Sequence, residues 1–242
     1  MDSKLYLGDS VKVMEQLKDC SIDCIITDPP YNLGLFMHKR NTNLVKMREN
    51  QFAYAGWDNL EYNKWRECMN VFLKQSHRVL KKSGTLIIFM SILKVETIFQ
   101  LAQENGFYYK TTGIWHKTNP MPRNYKLQFV NSTECWMYFV KDDTTGTFNY
   151  DGKPRHDFLE SSLTPMSEKK YGKHPTQKPI KILTELIKRV TNKGDAILDP
   201  FMGSGSTCVA SAMLDRKYIG IEINEEYYKI AKQRIESLEG KV

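Results

Sequence analysis

The sequence has few cysteines and no closely spaced pair of them. Five cysteines occur in 242 residues, an odd number, and no C-x-x-C pair is among them. Disulfide frameworks and zinc knuckles both need cysteines in sets, so this pattern argues against either. We therefore expect a reduced, intracellular protein of the cytoplasm that holds no metal ion.

Long hydrophobic runs and a secretory leader are also missing. The first residues, MDSKLYLGDS, contain no apolar core of a signal peptide. The apolar runs are far shorter than the roughly 20 residues that a bilayer span needs. We therefore expect a chain without a signal peptide that does not associate with a membrane.

Charge and composition favour a globular protein with an anionic partner. Hydrophobic residues make up 41% and charged residues 26%, with 35 Lys and Arg against 28 Asp and Glu. The resulting net charge of +7 fits a nucleic-acid partner, although solubility alone also explains it. A chain of this length can form one domain with a sizeable core, so we predict a single domain over residues 1–242.

Short apolar runs alternate with amphipathic helical patterns along the chain. This rhythm predicts an α/β fold with a doubly wound, mostly parallel sheet. A short first strand precedes Asp9, and Gly84 and Gly106 are interpreted as helix stops. The other predicted strands are Cys24–Thr27, Thr85–Phe89, Tyr108–Trp115, Cys135–Val140, Ala196–Asp199 and Tyr218–Glu222. The predicted helices are Tyr62–Leu80, Val95–Ala102, Ile180–Val190, Thr207–Leu214 and Tyr227–Leu238.

Two segments break this rhythm. Residues 32–58 are basic with little periodicity, and Thr144–Lys173 is polar with scattered Lys, Arg and Ser. Loops of this length inside a compact domain are usually functional or disordered. Both are therefore candidates for contacts with an anionic partner.

A glycine-rich turn, Asp199-Pro-Phe-Met-Gly-Ser-Gly205, follows a predicted strand and precedes a predicted helix. Glycine lets the backbone approach a ligand closely, and the helix start offers unpaired N–H groups. Glu222 ends the next strand, where a carboxylate can accept hydrogen bonds from ribose hydroxyls. The turn lacks the G-x-G-x-x-G fingerprint and a P-loop lysine. This pattern favours a nucleoside ligand without a pyrophosphate.

A second motif, Asp28-Pro29-Pro30-Tyr31, follows the predicted strand Cys24–Thr27. Two prolines cannot continue a sheet, so a stiff loop forms at the carboxyl end of the strand, where open α/β sheets bind ligands. The Asp28 carboxylate and the Pro29 carbonyl can accept hydrogen bonds from an amino group, and Tyr31 offers a ring for stacking on a base. Two such acceptors make the nitrogen of an aromatic amine more nucleophilic.

These two motifs resemble those of the amino-methylating DNA methyltransferases. Asp28–Tyr31 is similar to their catalytic motif, and Asp199–Gly205 to their cofactor motif. Lys173–Pro179 (KHPTQKP) resembles the segment that precedes the cofactor motif and encloses the methionine part of the cofactor. The catalytic motif comes first, a circularly permuted order similar to that of the β subgroup. The resemblance covers essentially the whole chain.

The resemblance implies a role for each matching residue. Asp28 and Pro29 would bind the target amino group, with Pro30 in the same motif, and Tyr31 would stack on the extruded base. S-adenosyl-L-methionine would be the cofactor. Its implied binding residues are Asp9, Asp28, His174, Thr176, Gln177, Lys178, Asp199, Phe201, Gly203, Gly205, Thr207 and Glu222.

The resemblance also implies a DNA partner. The target base must leave the duplex to reach the cavity, and phosphate contacts would come from basic loops. We predict a variable target-recognition region over residues 117–173. The candidate DNA-binding residues are Lys39, Arg40, Lys46 and Arg48 in the basic loop, and Arg123 and Asn124 in the later one. A homodimer and a cognate restriction endonuclease are further possible partners.

Adenine N6 in duplex DNA is the expected target, because Asp at position 28 favours adenine within the family. Cytosine N4 is the alternative, which product analysis would distinguish. An RNA or protein amide methyltransferase is disfavoured by the permuted order and the basic loops. A silent nucleic-acid binder would fail to bind the cofactor, and a nucleotide-dependent dehydrogenase is disfavoured by the missing glycine fingerprint.

Overall fold

One sheet of eight strands organises the part of the chain that the structure describes. The structure is a computed structural model that describes residues 2–33, 60–122 and 125–239. The strand order is β1-β8-β7-β2-β3-β5-β4-β6. The strands are β1 Lys4–Leu7, β2 Ile22–Thr27, β3 Leu80–Met90, β4 Phe107–Lys117, β5 Thr133–Lys141, β6 Phe158–Ser161, β7 Ala196–Asp199 and β8 Lys217–Glu222.

The sheet is mostly parallel. Strand β5 pairs antiparallel with both of its neighbours, β3 and β4, whereas the other neighbouring pairs run parallel. Parallel pairs need crossover connections. The helices at Tyr62–Val79 and Ser206–Met213 lie in the crossovers from β2 to β3 and from β7 to β8. The α/β class with a mostly parallel sheet that the sequence predicts is therefore confirmed.

Helices cover both faces of the sheet. They are α1 Ser10–Glu15, α2 Tyr62–Val79, α3 Val95–Glu104, α4 Ile180–Val190, α5 Ser206–Met213 and α6 Glu225–Glu239, with 3-10 turns at Ile92–Lys94 and Met166–Lys169. Buried residues of α1, α2 and α3 pack in one core cluster. Residues of α4, α5 and α6 pack in the other two clusters. Helices on both faces make the sheet doubly wound.

Strand β3 shows why the central strands read as continuous apolar runs. Leu86 and Ile88 belong to the core cluster on one face, and Ile87 and Phe89 to the cluster on the other. Side chains alternate between faces along a strand, so a strand covered on both sides is apolar at every position. This double burial fixes the position of β2 and β3 beside the cavity.

The order of the strands reverses between β2 and β7. From β7 the chain continues through α5 to β8 on one side, and from β2 it continues through α2 to β3 on the other. Ligands of open α/β sheets bind outside the carboxyl ends of the strands at such a switch point. Asp28 follows β2 and Asp199 ends β7, so this crevice brings the two sequence motifs together.

Two sequence interpretations need correction. Gly84 was expected to stop a helix, but α2 ends at Val79 and β3 begins at Leu80, so Gly84 lies inside the strand. Thr144–Lys173 was interpreted as an irregular segment, but it contains β6 and the 3-10 turn at Met166–Lys169. Strand β6 has four residues and adds to β4 at the edge of the sheet, so its pairing depends on tertiary structure.

Other predicted elements agree with the structure within a few residues at their ends, including the strand before Asp9 and the end of α3 before Gly106. The extent of one domain over residues 1–242 stays a prediction.

Across residues 2–33, 60–122 and 125–239, no helix is both long and apolar enough to cross a membrane.

Gly220 on β8 tests the packing behind the cavity. A Cβ at this position would overlap the sulfur of Met202 and lie 2.7 Å from Sγ of Cys208. We expect Gly220→Ala to lower the free energy of unfolding by about 1–3 kcal/mol, because overpacking forces buried neighbours apart. Urea unfolding measures the change.

Gly8→Ala is the matched control, because its Cβ would lie 3.3 Å from Cγ2 of Val13, a much milder approach than those at Gly220. The control should lose less stability than Gly220→Ala. Equal stability of Gly220→Ala and wild type would contradict the packing described here.

Candidate active site

A cavity of about 410 Å³ opens at the carboxyl ends of β1, β2, β7 and β8. Its wall contains both sequence motifs and the segment that precedes α4. Cavities of 300–1,000 Å³ are typical of small-molecule sites. The site is therefore built at the switch point from parts of the sequence that lie far apart.

The Asp28–Tyr31 loop leaves β2 as a rigid element. Pro29 and Pro30 have fixed φ angles and donate no backbone hydrogen bonds. The carbonyl of Pro30 accepts a hydrogen bond of 3.1 Å from Nε1 of Trp65, which is buried on α2. This bond and the two prolines fix the backbone of the loop that carries Asp28 and Pro29.

Both carboxylate oxygens of Asp28 have partners in this structure. Oδ1 accepts a hydrogen bond of 2.5 Å from the hydroxyl of Tyr31, and Oδ2 accepts one from Nζ of Lys178. Lys178 is only 7% exposed, and its ammonium lies 5.1 Å from the centroid of the Phe89 ring. A charge this deeply buried needs a counter-ion, which Asp28 supplies.

A second carboxylate, Glu134 on β5, completes the ionic network. Its Oε2 lies 3.1 Å from Nζ of Lys178, and its Oε1 accepts a hydrogen bond of 2.5 Å from Nζ of Lys117 on β4. The Tyr31 hydroxyl is 3.5 Å from Oε2 of the same carboxylate. Two carboxylates and two ammonium groups thus meet at one wall of the cavity.

Burial and charge shift the pKa values of this network. Burial raises the pKa of Asp28, and Lys178 opposes that shift. Burial also favours neutral Glu134, but Lys178 and Lys117 together hold its pKa below the usual range. Burial favours neutral Lys178 as well, but Asp28 and Glu134 raise its pKa. Burial, followed by the two carboxylates, raises the pKa of Tyr31 well above normal, so its hydroxyl stays protonated.

The glycine-rich turn takes a left-handed backbone at Gly203 (φ 52°) and Gly205 (φ 77°). A Cβ on Gly203 would lie 3.0 Å from Nε2 of His174, and one on Gly205 would lie 2.8 Å from Cβ of Ala231 on α6. Gly203 therefore adjoins the cavity, whereas Gly205 lets the turn pack on α6. Glycine avoids both the φ penalty and these overlaps.

Glu222 joins the turn to the end of β8. Its two carboxylate oxygens accept hydrogen bonds from the backbone N–H of Gly203 (2.9 Å) and of Asn224 (2.7 Å). Burial raises its pKa, and these N–H donors oppose the shift. Each carboxylate oxygen has two lone pairs, so Glu222 can still accept hydrogen bonds from a ligand.

Arg234 supports the turn from behind. This α6 side chain is 5% exposed, and its guanidinium donates to the carbonyl of Ser204 (2.6 Å) and the hydroxyl of Ser206 (3.0 Å). A planar donor with several N–H groups can hold such a turn at fixed points. The role of Arg234 is not evident from the sequence, because its partners are known only once α6 packs on α5.

His174 and Gln177 leave buried polar atoms at the cavity wall. Nδ1 of His174 and Oε1 of Gln177 have no hydrogen-bond partner among the described residues, and both residues line the cavity. Burial, and then the nearby Lys178 and Arg234, lower the pKa of His174 to about 4, so the ring is neutral at neutral pH. Buried polar atoms without partners indicate a missing polar ligand.

The cavity contains almost all of the residues predicted to bind a cofactor or a target. Asp9 caps α1, with Oδ1 accepting from the Lys12 backbone N–H at 3.0 Å, and still lines the cavity. Gly205 is absent from the lining. The predicted residues that line it are Asp9, Asp28, Pro29, Pro30, Tyr31, His174, Thr176, Gln177, Lys178, Asp199, Phe201, Gly203, Thr207 and Glu222.

The predicted DNA-binding residues lie outside the described residues. Lys39, Arg40, Lys46 and Arg48 fall within residues 34–59, and Arg123 and Asn124 form a second internal gap in the described residues. Their role stays a prediction. Residues that sequence reasoning missed include Glu134, Lys117, Phe89 and Tyr227, all of which line the cavity.

The geometry suits an amino group that donates hydrogen bonds, next to a nucleoside-like ligand. Asp28 and the Pro29 carbonyl supply acceptors on a rigid loop, and Glu222 supplies acceptors beside the glycine-rich turn. Both sets face one cavity, so two ligands can be held side by side. Such positioning is what a direct group transfer needs.

Asp199 tests the electrostatics of the turn. It is 4% exposed and accepts hydrogen bonds from Thr27 (2.8 Å) and the Phe201 backbone (3.2 Å). Burial raises its pKa to about 6, from 3.8, against these donors. Between pH 4 and 6 the folded protein therefore holds a proton that the unfolded chain has lost. The stability due to this group should fall by up to about 3 kcal/mol as the pH rises through that window.

Asp199→Asn removes this titration. Urea unfolding of both proteins from pH 4 to pH 6.5 should show wild type losing stability relative to the variant as the pH rises. A stability difference that is constant over this range would contradict the raised pKa.

Comparisons with known proteins agree with this geometry. The sequence model of a family described as DNA methylase, of the N6/N4 type, matches residues 22–233. The Type II methyltransferase M2.LlaDCHI of Lactococcus lactis subsp. cremoris is 36% identical, over 96% of this chain and 88% of that protein. The Type II methyltransferase M2.DpnII of Streptococcus pneumoniae is 34% identical, over 96% of this chain and 89% of that protein.

Solved structures give the same result. The crystal structure of an M1.HpyAVI–SAM complex has a TM-score of 0.71 and 28% identity, covering 96% of this chain and 98% of that one. The cytosine-N4-specific PvuII DNA methyltransferase has a TM-score of 0.76 at 20% identity, covering 97% of this chain and 86% of that one, a likeness of fold. The chain therefore belongs to the N6/N4 family of DNA methylases.

Proposed function

We propose that this chain is a site-specific DNA methyltransferase that transfers a methyl group from S-adenosyl-L-methionine to N6 of an adenine extruded from duplex DNA. The observation that carries the proposal is one cavity with two sets of acceptors. Asp28 and Pro29 form the set for the target amino group, and Glu222 lies beside the glycine-rich turn. The family model and the relatives support the reaction class.

The residues of the turn fit S-adenosyl-L-methionine. Glu222 would hold the ribose, and the turn around Gly203 lets the backbone approach the ligand. The partnerless atoms of His174 and Gln177 fit the polar methionine part, and the neutral His174 ring adds no positive charge beside a sulfonium. When bound, the cofactor supplies an activated methyl group. Asp9, Thr176, Lys178, Asp199, Phe201 and Thr207 complete the proposed set, whereas Gly205, which was expected in it, packs the turn on α6 and does not line the cavity.

Asp28 and Pro29 would position the amine for attack. The lone pair of an exocyclic amine is delocalised into the base, so the amine is a weak nucleophile. Acceptors at both amino hydrogens favour a pyramidal nitrogen, and the rigid Pro-Pro loop keeps them fixed. The Asp28 carboxylate then stabilises the positive charge that develops on the nitrogen. Tyr31 would stack on the base, which must be flipped out of the duplex.

Burial prepares Asp28 for the proton that is released afterwards. Its raised pKa makes the carboxylate a better proton acceptor than an exposed aspartate. The proton of the methylated nitrogen can move to Asp28 and then to water. Tyr31 keeps its own proton, because the same burial and the two carboxylates raise its pKa.

Finer features belong to the same proposal. Residues 1–242 would form one domain, with target recognition in residues 117–173 and DNA contacts from the basic loop at 32–58. Double-stranded DNA inside the cell would be the partner, with Lys39, Arg40, Lys46, Arg48, Arg123 and Asn124 near it. A homodimer and a cognate restriction endonuclease would be further partners.

Product analysis tests the target. Wild-type protein is incubated with radiolabelled S-adenosyl-L-methionine and mixed-sequence duplex DNA, which is then digested to nucleosides. We expect labelled N6-methyldeoxyadenosine. Asp28→Asn keeps the volume of the side chain but removes its charge, so its turnover should fall roughly 100- to 1,000-fold.

Asp23→Asn is the matched control, because Asp23 lies near the start of the same strand and binds Lys81 at 2.6 Å outside the cavity. It should keep near wild-type turnover. Labelled N4-methyldeoxycytidine would keep the mechanism and change the target base. No label in any DNA nucleoside, with the cofactor bound, would contradict the proposed substrate and favour RNA or protein.

Glu222 tests the cofactor site. We expect Glu222→Gln to weaken binding of S-adenosyl-L-methionine roughly 10- to 100-fold, because a charge-assisted hydrogen bond is worth about 1.5–3 kcal/mol. Isothermal titration calorimetry measures the dissociation constant. Glu226→Gln, at an exposed position on α6, is the control, and equal affinities of the two variants would exclude this role.

A further inference from the structure

The amino group of a target base must compete for Asp28. In this structure the Tyr31 hydroxyl occupies Oδ1, and the Lys178 ammonium occupies Oδ2. If Lys178 stayed on Asp28, the carboxylate would remain neutralised while positive charge develops on the nitrogen. The ammonium itself would also repel that charge. Catalysis is therefore favoured when Lys178 moves away from Asp28.

Lys178 has another anchor within reach. It is too buried to be solvated by bulk water once it leaves Asp28, so it needs another anion. Oε2 of Glu134 lies 3.1 Å from its Nζ. The ammonium can thus transfer between carboxylates with a small movement of a flexible side chain.

We propose that Glu134 is a positioning residue for the target base: it holds the Lys178 ammonium when the incoming amino group takes the place of that ammonium on Asp28. This role rests on the proposed function, because it requires an amine as substrate. Glu134 acts through Lys178 and contacts neither the methyl group nor the attacking nitrogen.

The surroundings of Glu134 suit a fixed anion. Strand β5 lies between β3 and β4, and Glu134 is paired in register with Trp115. Lys117 reaches its Oε1 from the end of β4 and favours the charged form. A carboxylate kept ionised in this way is a better counter-ion than a proton acceptor. Lys117 also keeps Glu134 in place when Lys178 shifts.

The charge of Glu134 also acts on Asp28 directly. The charged and titratable groups around Asp28 are Tyr31 on its own loop, Lys178 before α4, Glu134 on β5, Lys117 on β4 and Asp199 at the end of β7. Among them Glu134 raises the pKa of Asp28, and Lys178 lowers it. Removing the negative charge of Glu134 should therefore move the acid limb of the pH–rate profile to lower pH.

Glu134→Gln tests the proposal. In single-turnover methylation of duplex DNA we expect the rate to fall about tenfold, with dissociation constants of cofactor and duplex changed less than about twofold. The acid limb of the profile should move to lower pH, and Glu134→Asp should restore part of the rate. Glu185→Gln is the matched control, because this carboxylate on α4 binds Arg189 at 3.2 Å, away from the cavity and from the proposed DNA-contacting segments.

Combining Glu134→Gln with Lys178→Met distinguishes a positioning role of Glu134 from an effect of the substitution on folding. In Lys178→Met there is no ammonium to hold, so adding Glu134→Gln should lower the rate by less than about twofold further. Far-UV circular dichroism shows that each variant is folded, because Lys178 itself belongs to the proposed cofactor set. Equal rates and pH–rate profiles of Glu134→Gln and Glu185→Gln would overturn the proposal. So would a double variant whose loss of rate is the product of the two single losses.

Failure of the proposed function gives a different result. If wild-type protein methylates no DNA nucleoside, the proposed function is wrong and this inference falls with it. If wild type is active and Glu134→Gln behaves like Glu185→Gln, only the inference is wrong.

Discussion

A lysine ammonium held between two carboxylates is the interaction on which the cavity depends. Burying an ammonium costs free energy unless a carboxylate is paired with it. An ammonium with only one carboxylate partner would lose that partner when the carboxylate binds a substrate. Lys178 has both Asp28 and Glu134 as partners, and Lys117 balances the second of these. This network of four side chains therefore contains two carboxylates and two ammonium groups before any substrate binds. When Asp28 binds an incoming amine, the buried Lys178 can still pair with Glu134.

The order of the strands makes this network possible. Asp28 comes from the end of β2, Glu134 from the central antiparallel strand β5, and Lys178 from the segment that leads into α4. The reversal between β2 and β7 places the glycine-rich turn beside them. Target and cofactor can then share one cavity although their motifs lie about 170 positions apart, and the helices on both faces keep the strand ends fixed. The reaction needs only such positioning, because the activated methyl group comes from the cofactor.

The sequence predicts what is local and misses what depends on packing. Asp28–Tyr31 and the turn at Gly203 are short motifs, and their prolines and glycines indicate the backbone conformation directly. The central strands can be recognised as apolar runs. Glu134 reads as one acid at the start of an apolar strand, and its role appears only when β5 lies between β3 and β4. Strand β6 was missed for the same reason, because four mixed residues become a strand only by pairing with β4. Gly84 was misread as a helix stop because glycine also occurs within strands.

The central claim is that Asp28 and the Pro29 carbonyl receive the amino group of an extruded adenine. A crystal structure of the protein with a non-reactive cofactor analogue and duplex DNA tests it most directly. The account predicts an adenine flipped into the cavity, its N6 within hydrogen-bond distance of both acceptors, and Lys178 on Glu134. A base that enters the cavity with its amino group directed away from Asp28, while Lys178 stays on that carboxylate, would contradict it.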